Sequence, residues 1–401
     1  MVIGAVLWWL LGRPPLRQAG GWTTANSFDF AKIVLALIGG VGAVVALVIA
    51  YRKQHLGEAA ERREDIKLFA ERFTKASDQL GSDKAPVRLA GMYALEDLAQ
   101  GTPSQRQTIV NVLCAYLRMP YDPPMPSKNT ATEHAADVGA QLLAPAEHTS
   151  SATPELLKQE LQVRLTAQRI LADHLRPGSS PRNPMTAYWG TPDADIDIDL
   201  TGATLIDFKL DDCRIGTGRF EGATFSGWAR FDRVTFAGDA WFSEAAFSGD
   251  AEFTKAVFSG YASFGHMRFS GEVRFGEVTF RGDTWFGGTT FSGDAWFSAV
   301  TFRRDAEFGE AMFSGDAWFG RTTFRRNVGF GEVTFHGNVG FEEARVRLDV
   351  RSSTKRNWPK CMVVVEPDTD EQARLPNRQG RWGYLEAVTG EDPPTAEEPP
   401  E

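Results

Sequence analysis

The hydrophobic positions of the C-terminal half recur at a fixed short interval. A phenylalanine falls at alternating steps of five and six residues from Phe225 to Phe341. Upstream, the series continues at steps of five from Leu200 to Phe220, and downstream it ends at Val346. A helix places residues three or four apart on one face, so it cannot accommodate these steps. The fixed period predicts stacked, nearly identical units. The phenylalanines of this ladder are Phe225, Phe231, Phe236, Phe242, Phe247, Phe253, Phe258, Phe264, Phe269, Phe275, Phe280, Phe286, Phe291, Phe297, Phe302, Phe308, Phe313, Phe319, Phe324, Phe330, Phe335 and Phe341.

Nearly every ladder phenylalanine is preceded two positions earlier by a small or β-branched residue, as in Ala240-Trp241-Phe242. Residues two apart share a face in an extended segment, so each segment presents one large and one small inward side chain. Glycine recurs at multiples of eleven residues inside the six-residue steps. We expect bends with positive φ there, because glycine adopts positive φ at little cost. These glycines are Gly227, Gly238, Gly249, Gly260, Gly271, Gly282, Gly293, Gly315 and Gly337.

These features resemble the pentapeptide-repeat family, whose units carry a central leucine or phenylalanine preceded two positions earlier by a small residue. The resemblance covers roughly residues 196–348 and implies a right-handed quadrilateral parallel β-helix closed around the stacked side chains. The additional residue in alternate units gives an 11-residue double repeat and a coil of 22 residues, so the ladder makes about seven coils. The segment Val87–Glu96 looks like the helical pair that joins membrane segments to coils in bacterial membrane-anchored members.

A second hydrophobic feature lies near the N-terminus. Residues 33–51 form an uncharged apolar stretch of nineteen residues, long enough to cross a bilayer as a helix. A buried core helix is the soluble alternative. Residues 2–11 are apolar but span only half that distance, so we interpret them as an interfacial segment or part of a first spanning helix. The basic residues are Arg13, Arg17 and Lys32 before the stretch and Arg52, Lys53, Arg62, Arg63 and Lys67 after it. This excess places the C-terminal bulk in the cytoplasm.

Composition and periodicity divide the whole chain into segments. The predicted fold class is α+β and multidomain: a transmembrane helix and a helical spacer, followed by the β-helix. Before the coils we predict a membrane anchor at 1–53, a helical juxtamembrane region at 57–118 with helices at 57–80, 85–100 and 103–118, and a linker at 119–153 with a short helix near 135–143. A helix at 154–176 then precedes or caps the coils, and the β-helix occupies 196–348. After it we predict a terminal cap at 349–389, with a strand at 361–365 packed by Trp382, Tyr384 and Leu385, and a disordered acidic tail at 390–401.

The sequence carries no recognisable catalytic or cofactor motif. It contains no phosphate loop, nucleotide fingerprint, zinc signature or nucleophile elbow, so we predict no enzymatic activity, no cofactor and no metal site. Cys114, Cys213 and Cys361 lack metal-ligand spacing and fit a reducing compartment. The net charge of −9 does not indicate direct nucleic-acid binding. We interpret the repeated aspartates as strand-entry residues rather than calcium ligands; they are Asp239, Asp250, Asp283, Asp294, Asp305 and Asp316.

Two sets of outward residues stand out once residues 22 apart are stacked. The first is a column of arginines at one corner, with arginine replacing the expected glycine at positions 304 and 326. Such a column could bind an acidic protein surface, an anionic lipid or phosphate. A solvated column neutralised by Asp283 and Asp305 is the alternative. Its members are Arg281, Arg303, Arg304, Arg325 and Arg326.

The second set consists of tryptophans. Trp296 and Trp318 are expected to stack outward on one side, while Trp241 and Trp285 lie two coils apart on another side. Exposed tryptophans are favoured at protein interfaces, so these four are candidate contact residues. Packing between neighbouring coils is the alternative.

These observations predict a membrane-tethered, non-enzymatic interaction or scaffold module in the cell membrane, with its C-terminal domain in the cytoplasm. Its partner is another protein of unknown identity, and the sequence leaves oligomerisation open. The resemblance offers a second hypothesis, because some soluble pentapeptide-repeat proteins regulate type II topoisomerases by imitating DNA. That role needs a continuous acidic exterior, yet residues 207–345 hold about 20 acidic against about 15 basic residues. A regulatory arm of a membrane transporter or enzyme is the third.

Overall fold

The computed structural model describes Trp9 and residues 24–123, 154–178, 188–191, 193–350, 354–360, 362–367 and 380–388. The rest of the apolar segment 2–11, the linker beyond residue 123 with its short helix, Cys361 and the acidic tail lie outside the described residues. The chain divides into two units, residues 1–71 and residues 72–401.

Helix α1, Thr24–Leu80, is a single helix of 57 residues. Within it, Ala31–Gln54 has a mean hydropathy of 2.9 and contains no buried residue. By length and composition this segment is able to cross a membrane. The sequence predicted separate helices at 33–51 and 57–80, and the structure joins them. Gly57 does not end the helix, because a helical glycine costs only about 1 kcal/mol relative to alanine.

Three further helices precede the coils. They are α2, Ala85–Gly101; α3, Arg106–Leu117, which follows a 3₁₀ turn at Pro103–Gln105; and α4, Pro154–Leu175. Pro86 lies in the first turn of α2, where a missing N–H removes no helical hydrogen bond. The apolar faces of the helices meet in a common core, whose buried residues include Met92, Leu95, Ile109, Leu113, Val163, Ile170 and Leu171.

A buried ion-pair network fixes α4 against α2 and α3. The Glu160 carboxylate accepts hydrogen bonds from Arg88 at 2.9 Å, Tyr116 at 2.9 Å and Arg164 at 3.0 Å. Arg164 is 1% exposed and also donates to the carbonyl oxygen of Leu117 at 3.0 Å. Because the Glu160 carboxylate is paired with two guanidinium groups and a hydroxyl, the network holds the helices in one arrangement instead of leaving a buried charge uncompensated.

The coils form four sheets whose strands hold two or three residues each. After the first coil, which makes only an isolated bridge at Lys209 to sheet III, each coil passes through sheets I, II, III and IV in turn, and each strand pairs in parallel with the strand one coil away. From Gly218 to Val346 this pairing joins residues 22 apart, as in Val257 with Thr279, and only the last strand of sheet I departs from it, where Val328 pairs with Arg356. The 22-residue coil and the total of about seven turns are therefore confirmed, while the handedness and quadrilateral section stay predictions.

The strand bounds follow the predicted segments. Sheet I consists of Ile198–Asp199, Gly218–Arg219, Ala240–Trp241, Ala262–Ser263, Thr284–Trp285, Ala306–Glu307, Val328–Gly329 and Arg356–Asn357. Sheet II consists of Thr204–Ile206, Thr224–Ser226, Ala246–Phe247, Arg268–Phe269, Thr290–Phe291, Met312–Phe313 and Thr334–Phe335. Sheet III consists of Ala229–Arg230, Ala251–Glu252, Val273–Arg274, Ala295–Trp296, Ala317–Trp318 and Val339–Gly340. Sheet IV consists of Arg214–Ile215, Thr235–Phe236, Val257–Phe258, Thr279–Phe280, Thr301–Phe302, Thr323–Phe324 and Arg345–Arg347, with an antiparallel hairpin, Met362–Val365 and Trp382–Ala387, at its end.

The phenylalanine ladder is the core of the coils. Phe275, for example, is fully buried and stacks on Phe253 and Phe297, with 4.9 Å between ring centroids in both pairs. Rings of adjacent sides meet edge to face, as Phe264 meets Phe275 at 5.6 Å and 87°. Both arrangements are favourable for aromatic rings. The ladder is therefore structural, as predicted, and Phe335 in the last coil is a half-buried member.

The periodic glycines serve a different purpose from the predicted one. Only Gly227 among them has positive φ, at 78°. A Cβ on Gly249, Gly282 or Gly337 would lie 2.4, 1.9 or 2.4 Å from a carbonyl oxygen of the preceding coil, so glycine is needed for close approach. Positive φ occurs instead in the five-residue steps, two residues after a ladder residue. The residues there are Arg233, Glu244, Lys255, His266, Glu277, Gly288, Ala299, Glu310, Arg321, Glu332 and Glu343.

The repeated aspartates connect successive coils. Asp239 Oδ1 accepts a hydrogen bond from the Tyr261 backbone N–H at 2.8 Å, and Asp294 Oδ1 does the same for Asp316 at 2.9 Å. The strand-entry interpretation is confirmed for these carboxylates. Within the described part of the chain, no group of three or more His, Cys, Asp or Glu residues is arranged to hold a metal ion.

Different devices cover the two ends of the coils. At the first coil, the side-chain amide of Gln107 pairs with the backbone of Asp197, and that of Gln168 pairs with the backbone of Ile206. In each pair the amide nitrogen donates to the backbone carbonyl oxygen at 2.8 Å, and the amide oxygen accepts from the backbone N–H at 3.0 Å. At the last coil, the antiparallel hairpin pairs with Arg345–Arg347. These contacts occupy backbone groups that would otherwise template edge-to-edge association.

Candidate interaction surface

The predicted arginine column is present at the corner between sheets IV and I. Each of Arg281, Arg303 and Arg325 directly follows a ladder phenylalanine, and the strands of those phenylalanines pair in register. The register continues from Phe324 to Val346, so Arg347 extends the column by one coil. Sequence reasoning missed Arg347 because the phenylalanine ladder has ended there, although its spacing from Arg325 is the signal that could have identified it.

The arginines of this column have few counter-charges. In the described structure no carboxylate oxygen lies within 4.0 Å of a guanidinium nitrogen of the five predicted members, Arg281, Arg303, Arg304, Arg325 and Arg326. The expected neutralising groups have other partners: Asp283 Oδ1 accepts the backbone N–H of Asp305 at 3.3 Å, and Asp305 accepts the Asn327 side-chain amide at 2.8 Å. Direct ion pairing with Asp283 or Asp305 is therefore not what holds the column. These carboxylates lie at the same corner and only reduce its potential.

Several other basic residues on the coils are paired. On sheet III, Arg274 contacts Glu252 at 3.3 Å and Glu272 at 2.8 Å. At another corner, Arg233 donates to both carboxylate oxygens of Asp212, at 2.5 and 2.8 Å. Arg268 and Arg321 also lack an ion pair in the described structure, but they are single positions, whereas the column places five such arginines at one corner.

The column ends in a cleft beside the terminal hairpin. This arginine cleft has a volume of about 460 Å³ and is lined by Arg303, Asp305, Arg325, Arg326, Asn327, Arg347, Asp349, Val350 and Thr354. The Arg325 guanidinium carbon lies 5.8 Å from the centroid of the buried Trp382 ring. Burial lowers the pKa of Arg325, and the positive charges of Arg303 and Arg347 lower it further. The guanidinium groups are therefore crowded enough to repel one another.

The tryptophans fall into two pairs with different surroundings. Trp296 and Trp318 stack on sheet III with 5.8 Å between ring centroids, and Trp296 is 37% exposed. Trp241 packs against Tyr261 at 5.1 Å, and Trp285 covers Gly265 and Gly287, where added Cβ atoms would meet its ring at 2.4 and 2.3 Å. Trp241 and Trp285 are both half-buried. The predicted positions are correct, but only the sheet III pair offers an open aromatic face.

One exposed tryptophan was not among the predicted contact residues. Trp228 is 45% exposed and lies over the guanidinium of Arg230 at 5.3 Å. It occupies the strand-entry position of its coil, which holds Asp250 and Asp294 in later coils of sheet III. The replacement of aspartate by tryptophan at that position was the available signal.

The two cysteines that the structure describes are buried and unreactive at neutral pH. Cys114 and Cys213 are each 1% exposed, and burial raises the pKa of both thiols to about 12. A thiol must ionise to act as a nucleophile or a metal ligand. Both residues therefore behave as small core side chains at neutral pH.

Comparison with known families agrees with this architecture. Residues 231–345 match, in four overlapping segments, a family model described as pentapeptide repeats (9 copies). This part of the chain belongs to the pentapeptide-repeat family, and its coils form a β-solenoid of the protein-interaction type, a family that is generally non-enzymatic. Neither the curated proteins nor the solved structures give a significant match.

Proposed function

We propose that this protein is a membrane-tethered, non-enzymatic interaction module whose solenoid binds an anionic partner protein through the arginine column. The observation that carries the proposal is the set of arginines without ion pairs along one corner, on a solenoid whose other basic residues include paired ones such as Arg233 and Arg274. Unpaired guanidinium groups attract carboxylates at long range and form bidentate hydrogen bonds at contact. The open Trp296–Trp318 stack is a second, aromatic contact face.

The tether is proposed on the apolar segment Ala31–Gln54. A signal sequence would have the same length and composition near the N-terminus, but the helix continues without interruption to Leu80. The excess of basic residues after the segment favours a cytoplasmic solenoid.

Membrane fractionation tests the tether. The full chain should sediment with membranes and resist extraction at high salt, whereas a chain lacking residues 1–53 should stay in the supernatant. Protease added to inside-out vesicles should digest the solenoid, and protease added to intact cells should not. A solenoid that remains on salt-washed membranes without residues 1–53 would contradict the proposed anchor.

Photo-crosslinking tests the interaction surface. A photo-crosslinking amino acid at position 304 lies on the arginine column, and one at position 268 lies on sheet II, where Arg268 is also exposed and without an ion pair. A discrete crosslinked protein should form in membranes from position 304 and not from position 268. Equal crosslinking from both positions would contradict a specific surface.

The two alternative functions make different demands on the same surface. A DNA mimic needs unbroken negative charge, and the arginine column interrupts it, so we do not favour topoisomerase regulation. A regulatory arm of a membrane transporter or enzyme is compatible with the proposed surface. Capture of a membrane transporter or a membrane enzyme as the crosslinked partner would support the regulatory-arm function.

A further inference from the structure

The arginine cleft differs from the rest of the column because it is concave. Its volume of about 460 Å³ lies within the range of small-molecule sites, roughly 300–1,000 Å³. The Trp382 ring backs Arg325 and fixes one wall of the cleft. A cavity of this size accommodates a small organic ligand.

The lining charges favour an anion with two negative charges. Four guanidinium groups, from Arg303, Arg325, Arg326 and Arg347, face two carboxylates, which leaves two positive charges. The carboxylates are already engaged: Asp349 accepts two hydrogen bonds from Arg347, at 2.9 and 3.2 Å, and Asp305 is held by Asn327. A phosphate monoester carries about −1.5 to −2 charges at neutral pH, which complements this excess.

Three of the four guanidinium groups, those of Arg303, Arg325 and Arg326, have no ion pair in the described structure. Arg325 Nε is buried and has no hydrogen-bond acceptor within the described structure, and Arg303 and Arg326 have no ion pair there. A buried donor without an acceptor is costly, and so is the mutual repulsion of crowded cations. A bound anion would relieve both. Phosphate suits such a site because its oxygens match the fork of donors on each guanidinium group.

We propose that the arginine cleft binds a small soluble phosphate monoester, with Arg303, Arg325 and Arg326 donating hydrogen bonds to the phosphate oxygens. Arg347 contributes charge while it remains paired with Asp349. This inference rests on the proposed function in one respect, namely that the arginine column is an anion-binding surface. It adds a ligand class and a defined position at the end of the column.

Isothermal titration calorimetry on the full chain in detergent micelles tests the site, with phenyl phosphate and phenyl sulfate as ligands of matched shape. Phenyl sulfate carries one negative charge, so phenyl phosphate should bind about tenfold more tightly at pH 7.5. The difference should shrink at pH 5, because a phosphate monoester with a second pKa of about 6 is then mostly monoanionic. Equal affinity for the two ligands at pH 7.5 would overturn the proposal.

Two arginine variants locate the site. Arg325→Gln should weaken phenyl phosphate binding by about tenfold or more, whereas Arg268→Gln on sheet II should leave it unchanged. Because Arg325 packs on Trp382, Arg303→Gln serves as a second variant with an exposed side chain, and thermal melting checks that each variant folds. Unchanged affinity in folded Arg325→Gln and Arg303→Gln would refute the assignment.

The outcome is separable from that of the proposed function. If position 304 crosslinks a partner protein but phenyl phosphate does not bind, the cleft assignment fails and the interaction module stands. If phenyl phosphate binds through Arg325 and no partner crosslinks, the cleft assignment stands and the interaction module fails.

Discussion

Replacing Phe275 by alanine tests whether the stacked rings hold the coils together. Phe275 is fully buried, stacks on a ring in each neighbouring coil at 4.9 Å, and meets three more rings edge to face at 5.5 to 6.4 Å. Truncating a buried phenylalanine to alanine costs about 3–5 kcal/mol through lost transfer energy and the cavity left behind. Loss of aromatic pair geometry adds to this, at about 0.5–1.5 kcal/mol per pair. We expect the upper end of the 3–5 kcal/mol range.

Phe335→Ala is the matched control. Phe335 is half-buried in the last coil and stacks on one ring, Phe313, at 5.0 Å. With few neighbours to lose, it should cost no more than about 1.5–3 kcal/mol, the value of transferring one phenylalanine side chain from water. The measurement is urea unfolding of the full chain in mild detergent, followed by far-ultraviolet circular dichroism. A loss at Phe275 equal to or below that at Phe335 would refute the ladder account.

Three further changes test the spacing of the coils and the state of the core thiols. Gly282→Ala should lower the free energy of unfolding by about 1–3 kcal/mol, because the added Cβ would lie 1.9 Å from a carbonyl oxygen, whereas the added Cβ of Gly276→Ala would have its nearest neighbour at 3.7 Å and should be tolerated. Similar melting temperatures for the two variants would contradict this expectation. Asp294→Ala should lower the free energy of unfolding in urea by about 1–3 kcal/mol, because it leaves the Asp316 backbone N–H of the next coil without its acceptor, and Asp294→Asn, which keeps an acceptor oxygen, should lower it less. A larger loss in Asp294→Asn than in Asp294→Ala would contradict the role of this hydrogen bond. Burial raises the pKa of the Cys114 and Cys213 thiols to about 12, so at pH 8 both should react with a thiol reagent about a thousandfold more slowly in the native chain than in the unfolded chain. The measurement uses a variant without the third cysteine, and rapid labelling of the native chain would show that the two thiols are not buried.

The sequence predicts the coils well because their structure is periodic. Once residues 22 apart stack, the ladder, the column from Arg281 to Arg326 and the contact of Trp296 with Trp318 all follow from counting. The role of the periodic glycines cannot be predicted by counting, because the sequence pattern is the same whether a glycine provides positive φ or allows two backbones to approach closely. The structure distinguishes the two roles, and at Gly282 it shows close approach.

The contacts at the two ends of the coils could not be predicted, because they involve residues outside the repeat. The amides of Gln107 and Gln168 cover the first coil from helices far away in sequence, and no local pattern marks them. Trp358, which meets the ladder rings of Phe324 and Phe330 at 5.4 and 6.0 Å, lies beyond the repeat. The cleft likewise depends on the hairpin that brings Trp382 to Arg325. Contacts between periodic and non-periodic parts of a chain are set by tertiary packing.

Charge-matched variants test the central claim, that the arginine column is the interaction surface, most directly. One variant removes two column charges, Arg303→Ser with Arg326→Ser, and the other removes two exposed charges elsewhere, Arg268→Ser with Arg321→Ser. Crosslinking and quantitative mass spectrometry on membranes then compare both with the unaltered protein. The account predicts that a specific partner protein is captured by the unaltered chain and the second variant and is lost from the first. Equal capture by both variants would contradict it.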